Sequence, residues 1–381
     1  MSEGGLSAEE AKLYDRGIRL WGVEAQQRLR ESVVLVLGMT EAAAELCKNV
    51  VLAGISKLVV AFADDLMDST LKHGSNMFVL AEDAEGGNNA EKRAQLALSR
   101  INELNNYVRV EALHLASWDP SIVASALSSS VLAQYDFVCV CDNAVPLKTA
   151  EELNERTRDA GASFLDLRLF GTQAFLFCDM PLFDPEAASR SAAASSEEHL
   201  PSKRRCPRQR CCVKHGPSYS QVLSLSDEDL RVLGAPFLFY VIRALESDPE
   251  HAKEQLKQSG ESEESVAAML ELYKGQSEAA YMCAVIGGVA SQEVVKELMR
   301  DHRPPEELVA SVSATSLSTD EQRRRQQARK QQQNATGQPL CNVLCLDCVT
   351  GVSKVFFAAK EEAQRVRAAQ QTAVDDVTEI L

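Results

Sequence analysis

Ser32-Val33-Val34-Leu35-Val36-Leu37-Gly38-Met39-Thr40-Glu41-Ala42-Ala43 is the stretch on which the reading of the fold turns. The unbroken apolar run from Val33 to Leu37 predicts a strand buried on both faces, and Gly38 ends it. From Glu41 to Ala53 apolar residues recur at helical spacing until Gly54 stops them. Strand, glycine turn and helix in that order open a parallel sheet covered by helices. The alternation continues downstream. Leu58 to Ala63 reads as a second buried strand, closed by Asp64-Asp65, then Lys92 to Leu104 as a helix and Val108 to Leu113 as extended chain. Tyr135 to Cys141 predicts a strand, Leu147 to Asp159 a helix, Ser163 to Leu167 a strand, and Thr172 to Cys178 an antiparallel return after Gly171. Upstream, a charge-rich helix is expected over Ala8 to Arg30. The fold class is α/β, a doubly wound, Rossmann-like half-domain.

Composition bounds the rest. The chain has 381 residues, 45% hydrophobic and 25% charged, ordinary values for a globular protein with a sizeable core. Its net charge of −15 argues against a nucleic-acid partner, whose phosphates it would repel. No apolar run reaches membrane-spanning length and the N-terminus lacks signal-peptide features, so no membrane partner is expected. Eleven cysteines without an export signal read as reduced thiols of the cytosol or nucleus. The expected divisions are a half-domain over 8–183, a disordered loop over 184–205 and a small, mostly helical insertion over 206–275. A long helix over 276–302, a low-complexity insertion over 303–337, a hairpin with a helix over 338–371 and a tail over 372–381 follow. Within them, a strand is expected at Cys211 to Lys214 and helices around Pro236 to Leu245 and Glu264 to Tyr273. Thr350-Gly351 joins the last two strands, Asn342 to Leu346 and Ser353 to Ala358.

Three segments carry a resemblance that composition does not supply. Tyr14-Asp15-Arg16-Gly17-Ile18-Arg19-Leu20-Trp21-Gly22 resembles the opening of the N-terminal halves of ubiquitin-type activating enzymes. Lys48-Asn49-Val50-Val51-Leu52-Ala53-Gly54-Ile55 is similar to a helix end of the same family. Cys283-Ala284-Val285-Ile286-Gly287-Gly288-Val289-Ala290-Ser291-Gln292-Glu293-Val294-Val295-Lys296 is similar to its C-terminal helix. The resemblance implies an adenylation domain of the ThiF type. It also implies a reaction in which ATP and magnesium adenylate the C-terminal glycine of a ubiquitin-like modifier before capture as a thioester. Length and the lack of a large inserted cysteine domain point to the small, non-catalytic partner in a heterodimer. SUMO is then the expected modifier, a conjugating enzyme an indirect partner, and the nucleus, with cytoplasm, the location. Other readings are a self-sufficient enzyme like the bacterial sulfur-carrier activators and the equivalent subunit for the cullin modifier. A nicotinamide-dependent oxidoreductase is disfavoured by the broken glycine fingerprint.

The resemblance also assigns residues. Active members carry Gly-x-Gly-x-x-Gly at the first turn, because only glycine lets backbone amides approach phosphate. Here Gly38-Met39-Thr40-Glu41-Ala42-Ala43 keeps only the first glycine and adds a carboxylate, so ATP and magnesium are expected mainly on the partner. Gly74-Ser75-Asn76-Met77-Phe78 lacks the arginine that active members place there. Lys92 and Arg93 stand near the family's ATP-binding lysine, though a basic pair opening a helix usually forms a solvated face. Asp142-Asn143 resembles an Asp-Asn that helps hold magnesium and nucleotide, against the plainer reading of Asp142 as a helix N-cap. Arg16 corresponds to an arginine that reaches the partner's ATP phosphates, with Arg19 one turn away in support. Gly287-Gly288 is expected to let this helix approach a partner closely. No metal site is expected: Cys206, Cys211, Cys212 and His215, or Cys341, Cys345 and Cys348, lack paired ligand spacing. Lys203-Arg204-Arg205 and Arg323-Arg324-Arg325 are candidate import signals.

Overall fold

The computed structural model describes residues 6–63, 76–80, 82–85, 90–183, 213–244, 262, 264, 279–300, 342–347 and 352–369. The chain opens with three helices, α1 (Ala8–Leu13), α2 (Asp15–Trp21) and α3 (Val23–Glu31). Then come β1 (Val33–Leu37), α4 (Glu41–Ala53), β2 (Lys57–Ala63), α5 (Glu82–Glu85), α6 (Ala90–Asn102) and β3 (Arg109–Leu115). Next are α7 (Pro120–Ala126), α8 (Ser129–Leu132), β4 (Phe137–Val140), α9 (Leu147–Asp159), β5 (Ser163–Phe170) and β6 (Gln173–Asp179). A short pair, β7 (Leu182–Phe183) and β8 (Val213–Lys214), leads to α10 (Tyr219–Leu223), α11 (Asp227–Leu233) and α12 (Phe237–Ala244). The long helix α13 (Ala280–Met299), β9 (Val343–Asp347), β10 (Val352–Phe356) and a helix over 360–369, α14, complete the described chain.

The strands form one eight-stranded sheet in the order β10-β9-β6-β5-β4-β1-β2-β3. β5, β4, β1, β2 and β3 are parallel, whereas β6, β9 and β10 continue antiparallel. Because side chains alternate along a strand, β1 sends Leu35 and Leu37 to one core and Val34 and Val36 to the other. The first core packs under α7 to α12 and the second under α3, α4, α6 and α13. Helices on both faces of a parallel centre make the fold doubly wound, with the Rossmann-like character read from the sequence. None of the described helices is long and apolar enough to cross a membrane.

Several elements differ from expectation. The single helix expected over Ala8 to Arg30 is three, broken at Tyr14, whose ψ of 14° leaves the helix, and at Gly22, whose φ of 88° excludes it from one. Charge periodicity runs across both breaks and hides them. Helices α7, α8, α10 and α11 are additions, each a turn or two long and too brief to show a periodic pattern. The C-terminal hairpin is present, and it joins the main sheet by pairing β9 with β6. The loop 184–205, insertion 303–337, tail 372–381 and nearly all of the helix expected at Glu264 to Tyr273 lie outside the described residues.

Helix α13 makes its largest contact with α4. A Cβ at Gly287 would lie 2.7 Å from the Ala42 carbonyl oxygen and 2.8 Å from Glu45 Cβ, while one at Gly288 would meet nothing within 4 Å. The close approach expected at this glycine pair is therefore corrected for Gly287, which is spent on the chain's own α4. Asn49 ties the two helices by donating to Ser291 Oγ at 3.1 Å.

The segment carrying β8 and α10 is held to the sheet by polar anchors. Tyr219, fully buried, stacks on Phe177 at 4.3 Å and donates to Asp166 at 2.7 Å. Asp166 is also gripped by Arg168 at 2.9 and 3.0 Å. Asp179 accepts from Asn154 at 2.9 Å and Arg158 at 2.6 Å, and its other oxygen meets His215 Nδ1 at 3.1 Å. Burial pushes the Asp179 carboxyl up, but His215, Arg158 and Asn154 outweigh it and hold the group below its usual value.

Two predictions follow from these contacts. Gly287→Ala should lower stability by about 1–3 kcal/mol through overpacking, whereas Gly288→Ala should be neutral or gain up to about 1 kcal/mol from helix propensity. Urea melts of the two variants check this, and equal effects would show that the α4–α13 contact is not the constraint described. For Asp179 the depressed carboxyl adds stability above its unfolded value of about 4, and that stability is lost as pH falls through the lower folded value. The gap between wild type and Asp179→Asn, about 3 kcal/mol at pH 7, should therefore narrow as pH falls below about 4. A gap that stays constant down to pH 3 would contradict the ion-pair account.

Candidate functional site

In an open parallel sheet the crevice for ligands lies beyond the carboxyl ends of strands where the winding reverses. Here that point falls between β1 and β4, which pair directly, so the turns after Leu37 and Val140 face each other. Gly38 has φ of 95°, and a Cβ there would lie 2.6 Å from Asp142 Cβ and 2.9 Å from its Oδ2. Only glycine serves, and the space above it is filled by Asp142.

Thr40, Asn76 and Asn143 at the crevice are bonded within the chain. Thr40 Oγ1 donates to the Cys141 carbonyl at 2.8 Å and caps α4 by accepting from the Ala43 amide at 3.2 Å. Asn76 Nδ2 donates to the Met39 carbonyl at 2.8 Å, while its Oδ1 accepts from the Phe78 and Val79 amides, both at 2.9 Å. Asn143 pairs with Leu169, donating to its carbonyl at 2.5 Å and accepting from its amide at 3.1 Å. Met39 is wholly buried. A bidentate grip by Arg100 at 2.7 Å on each oxygen secures Asp83 beside the 76–80 segment and holds its carboxyl below the usual carboxylate range.

The sequence-derived candidates divide. Asp142 is buried at the crevice, but it does not cap α9, whose N-cap is Pro146. Its carboxylate instead accepts from the Ala144 amide at 2.7 Å, closing a turn that ends before the helix starts. Arg93 also departs from the solvated-face reading: Lys92 is exposed, but Arg93 is buried at 8% exposure. It shares the helix stripe of Ala94, Ala97, Leu98 and Ile101, and that spacing turns it to the core. Met77 is exposed.

Arg16 and Arg19 lie elsewhere. Both are exposed on α2; Arg19 is paired with Asp15 at 3.0 Å, while Arg16 makes no hydrogen bond or ion pair among the described residues. The helix is seated by Tyr14, which is buried against the C-cap of α4. A Cβ at Gly54 would come within 2.5 Å of Tyr14 Cζ, and Gly54 has the left-handed φ of 85°. Gln26 adds a bond to the Ala53 carbonyl at 2.9 Å. Arg16 thus stands by the C-terminal end of α4 and Gly38 by its N-terminal end. Those 13 residues of helix span about 20 Å. No arginine side chain covers that distance, so Arg16 cannot serve the crevice of its own chain.

Asn105 was not picked out by the sequence. It donates to Tyr14 Oη at 2.8 Å from 91 residues away, and no local pattern marks it. Asn76 carried a weak signal as a polar residue in an apolar surround. The described cysteines, Cys47, Cys139, Cys141, Cys178, Cys283 and Cys345, are buried and free, and burial pushes the Cys47 and Cys345 thiols up to about 12. Among the described residues no three His, Cys, Asp or Glu side chains converge as metal ligands, and Cys206, Cys211, Cys212, Cys341 and Cys348 lie outside them.

The family model of the ThiF family matches residues 14–343. SUMO-activating enzyme subunit 1 of Xenopus laevis is 28% identical over 331 residues, covering 78% of this chain and 92% of its own. The DNA damage tolerance protein rad31 of Schizosaccharomyces pombe is 26% identical over 322 residues, covering 80% and 94%. The crystal structure of E. coli MccB superposes with a TM-score of 0.50 at 11% identity, covering 94% of this chain and 72% of that one, a likeness of fold.

The filled crevice is itself testable. Gly38→Ala should cost more than about 2 kcal/mol, from backbone strain at positive φ and overlap with Asp142. Adding Asp142→Gly removes the overlap but not the strain and should recover part of the loss. A Gly38→Ala protein melting at the wild-type temperature would overturn the packing described.

Proposed function

We propose a function from one established premise: the chain belongs to the ThiF family. It is the non-catalytic subunit of a heterodimeric activating enzyme for a ubiquitin-like modifier, and SUMO is the modifier. The partner subunit binds ATP and magnesium, adenylates the modifier's C-terminal glycine and captures it on its own cysteine as a thioester. This chain supplies Arg16 across the interface to the partner's ATP. The observation that carries the reading is the placement of Arg16: exposed, uncommitted among the described residues, and a helix length away from its own crevice. A permanently charged fork suits phosphate oxygens and stabilises charge as pyrophosphate leaves.

Three further observations support this division of labour. Asp142 occupies the space over Gly38, and Thr40 is bonded to Cys141. The described thiols are buried, and burial pushes those of Cys139, Cys141 and Cys178 well above the usual thiol value, which disfavours a nucleophile here. The relatives named SUMO-activating enzyme subunit 1 match along most of their length. A nuclear location is part of the proposal, and Lys203-Arg204-Arg205 and Arg323-Arg324-Arg325 are consistent with it. A second reading, a self-sufficient adenylating enzyme, has Asp142 in its favour, since that carboxylate does lie at the crevice.

The heterodimer purified through a tagged full-length chain tests the proposal. Arg16→Ala should leave assembly intact on gel filtration and slow ATP–pyrophosphate exchange by about two to three orders of magnitude. Arg16→Lys should restore only part, because an ammonium cannot fork onto two oxygens. Wild-type exchange from an assembled Arg16→Ala complex would remove Arg16 from the reaction. Exchange by the isolated chain would favour the second reading instead.

A further inference from the structure

We propose that Asn105 is a positioning residue for Arg16, acting through the hydroxyl of Tyr14. This rests on the role given to Arg16 above. Asn105 sits in the loop between α6 and β3, buried, and its amide is fully committed. Its Oδ1 accepts from the Tyr107 amide at 3.1 Å, which fixes the side chain's orientation and turns the amino group inward. That amino group donates twice, to Tyr14 Oη at 2.8 Å and to the Val51 carbonyl at 2.9 Å. Asn105 therefore bonds at once to the residue that starts α2 and to the last turn of α4.

The bond matters because the N-terminal end of α2 rests on Tyr14, while Trp21 at the other end packs against the core and α3 lies alongside. The helix is seven residues long, none of them is buried, and Tyr14 ahead of it has no side-chain capping bond. A helix that short does not hold its direction by itself. At the end that carries Arg16, its position is set by the Tyr14 ring, wedged over Gly54, and by the hydroxyl at the end of that ring. Burial keeps the hydroxyl protonated by raising its pKa. The ring fixes where the helix starts; the Asn105 bond anchors the far end of the ring and so limits its tilt. Arg16 lies two residues farther on, so a small tilt at Tyr14 is carried directly to the guanidinium. A misplacement of about 1 Å at a reacting centre is enough to cost large factors in rate.

The test uses the heterodimer purified through the full-length chain, with exchange measured per assembled complex. Asn105→Ala and Tyr14→Phe are each made in the wild-type and Arg16→Ala backgrounds. Tyr14→Phe keeps the ring in its seat and removes only the hydroxyl, so it tests the bond even if Asn105→Ala folds poorly. Each should lower kcat for exchange about tenfold, the worth of one well-placed buried hydrogen bond. Neither should lower it further once Arg16 is alanine. The same fractional loss in both backgrounds would mark a merely structural effect and overturn the proposal. Unchanged exchange in both variants, beside a slow Arg16→Ala, would overturn it too and leave the role of Arg16 standing. Wild-type exchange from Arg16→Ala would remove the role of Arg16 and this proposal with it.

Discussion

Burial of α4 on two sides is the constraint from which the rest of the structure follows. Ala42, Ala43, Ala44, Leu46, Cys47, Val50 and Val51 are all closed from solvent, between the sheet and α13. A helix packed this way cannot slide without opening cavities, so its two ends are fixed points. At one end Thr40 caps the helix and ties it to the turn after β4; at the other Gly54 makes the seat for Tyr14. The separation between crevice and Arg16 is thus a helix length set by the core. The three segments that suggested the family meet on this helix: Tyr14 on its C-cap, Asn49 within it, and Gly287 with Ser291 against its flank.

The crevice shows what happens to a ligand site when its donors and acceptors find partners at home. Thr40, Asn76, Asn143 and Asp142 make bonds that stabilise the turns around them. A phosphate entering here would have to displace such bonds at about 1 kcal/mol each, beside a carboxylate that repels it. The pieces retained from such a site, Gly38 and Asp142, now hold one another in place.

Central strands were the most legible part of the chain. Strand Val33–Leu37 falls where its apolar run put it, and helix Leu147–Asp159, packed on the sheet, where its spacing did, because burial on a sheet leaves an uninterrupted pattern. Helices of four to seven residues such as α7, α8 and α11 left no such trace, since one or two turns bury too few side chains to be periodic. The break at Gly22 was hidden because charged residues on either side keep their spacing across it. For the site, Arg93 does not form the solvated face that its basic neighbour suggested, and the helix stripe it shares with Ala97 and Ile101 was the better guide to its burial. Asn105 was out of reach: its partner is 91 residues away, and nothing local foretells a tertiary hydrogen bond. Arg16 became visible through its family context, since an exposed arginine alone is commonplace on a helix.

The late arrival of β9 has a consequence for synthesis. It pairs with β6, yet Val343 follows Asp179 by most of half the chain. A ribosome adding about 5–20 residues per second takes on the order of ten to thirty seconds to cover that stretch. Throughout it, the backbone of Gln173–Asp179, a strand buried along almost its whole length in the finished fold, presents an open edge of the kind that recruits foreign strands. The nascent chain therefore passes through a window in which a chaperone, or another copy, competes for the place β9 will take.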